Sequence, residues 1–259
     1  MRKKILFPIA MLLSGIFYIF PMQVRRANGE EVWNTLSSFT TYFNANDVGR
    51  CENIRVASEL IDGVTLQAYG EFSFNQTVGR RTAESGFKQA KIIVNGEYVL
   101  GVGGGVCQVS TTLYNSALLS GLTVTEFHPH SLRVGYVEPS RDAMVSSSSD
   151  LKLFNPYPFA VRLFAKAEKQ SVCVRFAGQG KGYEYAVVSH VLEETPPPAP
   201  IVKDGEEDGV LRAEKNGLKS EAYFETYKNG VLLSRKRLRK DVYLPIQGIV
   251  VKKIGNPRD

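Results

Sequence analysis

The plainest helical spacing in the chain lies in CENIRVASELIDG, where Ile54, Ala57, Leu60 and Ile61 recur ahead of Gly63. That period predicts an amphipathic helix from Cys51 to about Ile61. Val109, Leu113 and Ala117, with Tyr114 and Leu118 alongside, repeat the pattern and close at Gly121, a residue suited to the left-handed turn that ends a helix. Elsewhere the period is two. VTLQAYGEFSFNQTVG and AKIIVNGEYVLGVGGG read as strands, with Val94-Asn95-Gly96-Glu97 as a hairpin turn because Asn-Gly accepts positive φ at little cost. LTVTEF reads as a strand, and HPHSLRVGYVEPSRDAMV as an irregular loop and strand. FAVRLFAK and SVCVRF alternate around Ala167-Glu168-Lys169-Gln170, a second hairpin in which Cys173 and Arg175 share one face and Val172, Val174 and Phe176 the other. Past the stiff TPPPAP and the acidic KDGEEDG stretch, the chain alternates again around Asn229-Gly230, and RKRLRK (Arg235 to Lys240) reads as the polar face of a strand. The predicted fold is α+β: a mixed sheet with hairpins packed on a few helices, plus a small C-terminal β module.

The N-terminus breaks this pattern. Met1-Arg2-Lys3-Lys4 precedes Ile5 to Val24, a run without a charged residue and close to the roughly 20 residues a spanning helix needs. A small-x-small cleavage site does not follow it, nor does a cysteine placed for acylation, so a membrane anchor is expected, with the basic end inside and the rest exported. The expected organisation is an anchor or signal segment at 1–24, a stalk at 25–45 with Trp33 and Tyr42 docking on the body, a main domain at 46–180, and a linker with the β module at 181–259. Export gives weight to the three cysteines, Cys51, Cys107 and Cys173. An odd count leaves at least one thiol unpaired; if Cys51 and Cys173 pair, it is Cys107. CxxC or His/Cys zinc spacing is missing, which argues against a structural metal or a redox centre. The net charge of +6 suits an anionic partner, but without a basic stripe interleaved with aromatics it does not indicate nucleic-acid binding.

Chemistry is most concentrated at GGGVCQVSTTLYN, Gly103 to Asn115. A helix starting after Gly103, Gly104 and Gly105 points unpaired N–H groups and its positive dipole end at Cys107. A thiol in that field ionises more readily and becomes a nucleophile; a small buried core residue is the other possibility. Of the three histidines, His128 and His130 share the loop FHPHSL, where Pro129 excludes helix. Downstream, Asp142 offers a carboxylate to orient an imidazole, and Arg141 a guanidinium for a substrate carboxylate.

GGGVCQVSTTLYN and EFHPHSLRVGYVEPSRDAMV together resemble the VanW family of bacterial proteins. The likeness extends through NIRVASELIDG, GEFSFNQTVGRRT, GFKQAKIIVNGEYVLGVGGG and DLKLFNPYPFAVRL, from about Phe43 to Gly178. The resemblance implies a cell-envelope protein, typically of a Gram-positive bacterium, and L,D-transpeptidation of peptidoglycan stem peptides through a cysteine acyl-enzyme, without metal or cofactor. It maps the nucleophile to Cys107, the base to His130 and the orienting carboxylate to Asp142. Gly103, Gly104, Gly105, Gln108, Ser110, His128 and Arg141 are expected around the substrate. The chain departs from the family at Tyr69-Gly70-Glu71, where proline-glycine-glutamate is usual, and in carrying Cys51 and Cys173. Two other functions fit the same residues: a non-catalytic wall-binding module, and a cysteine hydrolase in which water resolves the thioester.

Overall fold

The computed structural model describes residues 33–94 and 96–253. The expected anchor at 1–24 lies outside the described residues, as does Asn95 of the predicted hairpin turn. No helix among the described residues is long and apolar enough to cross a membrane.

In chain order the elements are β1 (Asn34–Tyr42), α1 (Val48–Ile61), β2 (Thr65–Leu66), β3 (Glu71–Ser73), α2 (Phe74–Val78), β4 (Gln89–Val94), β5 (Glu97–Val102), α3 (Val106–Ser120), β6 (Thr123–Glu126), β7 (Lys152–Phe154), β8 (Val161–Ala167), β9 (Ser171–Gly178), β10 (Glu184–Thr195), β11 (Ile201–Gly205), β12 (Gly209–Arg212), β13 (Gly217–Lys228), β14 (Val231–Tyr243) and β15 (Ile249–Lys253). The chain is mostly strand with few helices, in keeping with an α+β class. Among the described residues the strands fall into five small sheets, ordered β1-β9-β8-β2, β10-β13-β14, β11-β15-β12, β3-β7-β6 and β4-β5. Among the described residues only β11 and β15 pair in parallel.

Helix α3 is the centre of the molecule. Val109, Leu113 and Ala117 are fully buried among Leu36, Ile54, Leu163, Val174 and Phe176 of the surrounding sheet and α1. Its polar residues are buried too, and each finds a partner, as burial requires. Thr112 Oγ1 meets Thr41 Oγ1 at 2.8 Å, and Ser37 Oγ donates to the Ser116 carbonyl at 2.7 Å. These contacts explain β1. Residues 34–42, expected in a stalk, form a strand paired with β9 along its length, and Tyr42 stays exposed. NTLSSFTTY lacks apolar alternation because its inward positions include hydroxyls that bond α3.

Two further expectations change. Phe74–Val78, expected within strands, is a short helix whose cap Ser73 accepts from the Gln76 N–H at 3.1 Å. The segment between β6 and β7 contains no strand. This long loop is clamped between α3 and the C-terminal sheet instead: Ser189 Oγ donates to the Pro139 carbonyl at 2.6 Å, and Ser140 Oγ meets Ser220 Oγ at 2.7 Å. Cys51 and Cys173 are not joined; all three cysteines are free thiols.

Candidate active site

The glycine run makes room for the protein itself. Gly105 caps α3 at φ 109°, a conformation that L side chains avoid. A Cβ there would stand 2.9 Å from Arg50 Cγ, and one on Gly104 would stand 2.6 Å from the Lys91 carbonyl oxygen. The run therefore lets α1 and the β4–β5 hairpin close against the helix start. Cys107, in the first turn of α3, is half-buried, and its thiol donates to the Val145 carbonyl at 3.3 Å.

The residues after Cys107 fasten the loop opposite. Ser110 Oγ donates to the Ala143 carbonyl at 2.7 Å, Thr111 Oγ1 accepts from the Ala143 N–H at 3.0 Å, and Asn115 Nδ2 donates to the Arg141 carbonyl at 2.8 Å. A polar helix face thus does for this loop what a β ladder does elsewhere. It brings His130 and Asp142 to the sulfur.

His130 and Asp142 are locked together. One carboxylate oxygen of Asp142 accepts from both the His130 backbone N–H and its Nδ1, each at 2.7 Å. The other oxygen accepts from Tyr243 Oη at 2.9 Å and Arg239 Nη2 at 3.2 Å, while Arg239 Nη1 donates to the Asp142 carbonyl at 2.5 Å. With Nδ1 committed to Asp142, Nε2 is the His130 nitrogen left for the Cys107 thiol, whose charge acts on the ring.

The electrostatics follow from burial opposed by partners. Burial alone pushes the Asp142 carboxyl up, but the His130 hydrogen bond and the Arg239 charge bring it down to about 2. Burial disfavours a charged His130, yet Asp142 and the Cys107 sulfur raise it to about 9. Burial disfavours the Cys107 thiolate, and His130, with Arg81 beyond it, lowers the thiol below its ordinary value. The arrangement shifts the thiol down and the imidazole up, toward an ion pair backed by an ionised carboxylate.

Cys107 and His130 open on a cleft of about 960 Å³ between the β4–β5 hairpin, the glycine run, residues 79–82 and residues 144–147. Gly103, Gly104 and Gly105 line it. Gln108 borders it but is fully engaged: its carbonyl accepts from Arg50 at 2.6 Å, and its amide donates to Thr41 and to the Tyr42 carbonyl. Ser110 is buried under the loop. His128 pairs with Glu126 at 3.0 Å, and Arg141 turns to Asn115 Oδ1 at 2.9 Å and stacks over Phe39. Neither of these last two lines the cleft. Among the described residues no His, Cys, Asp and Glu side chains cluster as a metal would require.

Arg239 and Tyr243 are the functional residues that the sequence pattern did not yield. Both lie on β14 with Asp241, which accepts from Arg239 Nε at 2.6 Å. RKRLRK is indeed largely exposed, but Arg239 within it is buried. A register shift opposite Ala222 and Tyr223 breaks the alternation there. The available signal was the i, i+2, i+4 spacing of Arg239, Asp241 and Tyr243, which puts all three on one strand face.

Fold and site together define a class: an α+β domain whose central helix presents a cysteine to a histidine–aspartate pair inside a basic cleft. Residues 49–177 match the family model described as VanW like protein, and the chain belongs to that family. Cys107, His130 and Asp142 fall inside the matched stretch; Arg239 and Tyr243 fall outside it. The chain is similar to the uncharacterized protein YoaR of Bacillus subtilis (strain 168), at 42% identity over 132 residues, 51% of this chain and 44% of that protein. It is also similar to the vancomycin B-type resistance protein VanW of Enterococcus faecalis (strain ATCC 700802 / V583), at 25% identity over 111 residues, 43% of this chain and 39% of that protein. The chain thus matches less than half the length of either relative. A solved structure, HP0197-G5, overlaps 27% of this chain and 97% of its own at 19% identity, with a TM-score of 0.14, too loose to define a fold.

Proposed function

We propose that the protein is a cysteine acyltransferase of the bacterial cell wall, acting on peptidoglycan stem peptides as an L,D-transpeptidase. The observation that carries this proposal is the Cys107–His130–Asp142 relay opening on a cleft with basic walls. The Cys107 thiolate attacks the carbonyl carbon of the diamino-acid residue in a donor stem. The peptide C–N bond breaks, His130 gives its proton to the leaving amine, and a thioester remains on Cys107. An acceptor amine then attacks the thioester, passes a proton to His130 and releases the thiolate with the crosslink formed. Asp142 holds His130 in the tautomer that presents Nε2 to the sulfur throughout. Val106 and Gln108 already donate their N–H groups to the Gly103 and Gly105 carbonyls, which leaves the Cys107 N–H as the first-turn donor for a developing oxyanion. The apolar run at 5–24 anchors the chain in the membrane, with the folded body on the wall side.

The vancomycin-resistance name of one relative agrees with a wall substrate, as does the chain's positive charge. The test is product analysis by chromatography and mass spectrometry after incubating the protein, and its Cys107→Ala variant, with disaccharide tetrapeptide. Crosslinked dimer and free D-amino acid with the wild type alone support the proposal. D-amino acid without dimer makes the protein a hydrolase instead. Neither product, with wall binding intact in both proteins, makes it a binding module and ends the enzymatic account.

A further inference from the structure

Among the described residues, four cations, Arg50, Arg80, Arg81 and Lys91, line the cleft around Cys107, and no Asp or Glu lines it. Two of the four are built into the site. Arg81 packs on the glycine run, where a Cβ on Gly103 would lie 3.1 Å from its own Cβ; Arg50 packs against Gly105 in the same way. Among the described residues, the hydrogen bonds of each guanidinium run to neutral oxygens, and Arg50 also faces the Tyr136 ring. Arg81 Nη1 donates to Asn75 Oδ1 at 2.8 Å and to the Gly79 carbonyl at 3.1 Å, and Arg50 Nη2 donates to Gln108 Oε1 at 2.6 Å. The carboxylate whose charge Arg81 feels, Asp150, is itself occupied by Ser73 Oγ and the Asn75 N–H. Each partly buried cation has lost hydration without gaining a carboxylate partner; the anion Arg81 feels most is the Cys107 sulfur at the reaction centre itself, so each fork can still take a substrate carboxylate.

We propose that Arg50 and Arg81 form a carboxylate-binding wall that takes the free C-terminal carboxylate of the residue leaving from the donor, so the site cleaves one residue from a chain end and not internal bonds. This rests on the acyl-transfer function proposed above and adds its specificity. A guanidinium fork matches a planar carboxylate with two parallel hydrogen bonds. An internal peptide bond would place an uncharged amide against the same wall, leaving both forks unpaired. The position fits a one-residue leaving group, because both arginine stems pack on the glycines immediately before Cys107.

The test needs no turnover. Alkylation of Cys107 by iodoacetamide, followed by peptide mapping of the full chain, is measured with increasing N-acetyl-D-alanine or N-acetyl-D-alaninamide. The acid is expected to protect Cys107 at roughly ten- to a hundredfold lower concentration than the amide, the range for losing hydrogen bonds to a charged group. In Arg81→Gln and Arg50→Gln the difference shrinks toward one, and the ratio of iodoacetate to iodoacetamide rates falls with it. Equal protection by acid and amide in the wild type overturns the wall while leaving the thiol's activation measured in the same samples. A Cys107 that alkylates no faster than Cys51 and Cys173 overturns the acyl-transfer function, and the wall with it.

Discussion

Replacing Asp142 with asparagine tests the relay at its least exposed member. The side chain keeps its volume and loses a charge 2.7 Å from His130 Nδ1. His130 is raised from 6.5 to about 9 although burial works against it. That gap corresponds to roughly 3 kcal/mol in favour of the imidazolium, shared between the Asp142 carboxylate and the Cys107 thiolate. Loss of the carboxylate removes one of these two anions, at a cost on the order of 1–2 kcal/mol to the ion pair, or about one pH unit. Geometry adds to this. An amide presents one acceptor and one donor group, and here donors converge on both carboxylate oxygens: His130 on one, Arg239 and Tyr243 on the other. Either orientation of asparagine sets donor against donor. With its NH2 toward His130, the ring must carry its proton on Nε2, where it cannot receive one from sulfur. The midpoint of the pH profile of Cys107 alkylation should therefore rise by about one unit or more, and the rate at pH 7 should fall about tenfold or more. The assay is iodoacetamide alkylation from pH 4 to 10, with peptide mapping to separate Cys107 from Cys51 and Cys173. A folded Asp142→Asn protein with the wild-type midpoint and rate would refute the reasoning.

Other consequences follow from the same contacts. Arg239→Met leaves Asp142 with His130 as its remaining ionic partner and takes the partner of Asp241 away, at a cost of about 3 kcal/mol; thermal unfolding should show Tm lower by roughly 10 °C, and Cys107 alkylation should slow although the substitution lies far along the chain. Because the Asp142 carboxyl falls from 3.8 to about 2 on folding, its stabilisation is complete above about pH 4 and disappears as pH falls through about 2. A Tm–pH series should show this acid arm in the wild type and lose its Asp142 share in Asp142→Asn. Gly105→Ala meets both a positive φ and Arg50 Cγ at 2.9 Å, so circular dichroism melts should report a loss of about 1–3 kcal/mol and Cys107 should lose reactivity as the helix start shifts.

Periodicity carried as far as local pattern reaches. Helix α3 and the β8–β9 and β13–β14 hairpins show their period and turn residues openly in the sequence. Strand β1 does not, since Ser37 and Thr41 face inward to bond a helix whose own buried face is polar. Long-range pairings such as β1 with β9, β3 with β7 and β10 with β13 leave no local trace, so the sequence suggests a mixed sheet and a small C-terminal β module where five small sheets form among the described residues. Cys107, His130 and Asp142 were legible because each residue type declares its chemistry. Ser110 misled for a physical reason: a polar helix face beside a glycine run looks like a ligand surface, and here Ser110 fastens the loop at Ala143, while Gln108 borders the cleft but is engaged by Arg50, Thr41 and Tyr42. The arginine assigned to the site, Arg141, anchors that loop through Asn115 and Phe39, while the cation that holds Asp142 is Arg239, from the C-terminal sheet.

The central claim is that Cys107 carries an acyl group during the reaction. Intact-mass analysis of the protein quenched in acid seconds after mixing with disaccharide tetrapeptide tests it most directly. The account predicts a mass increase equal to the donor stem less its terminal residue, located on the peptide containing Cys107, labile to hydroxylamine and absent from Cys107→Ala. A wild-type protein that stays at its unmodified mass while crosslinked or trimmed product accumulates would contradict it.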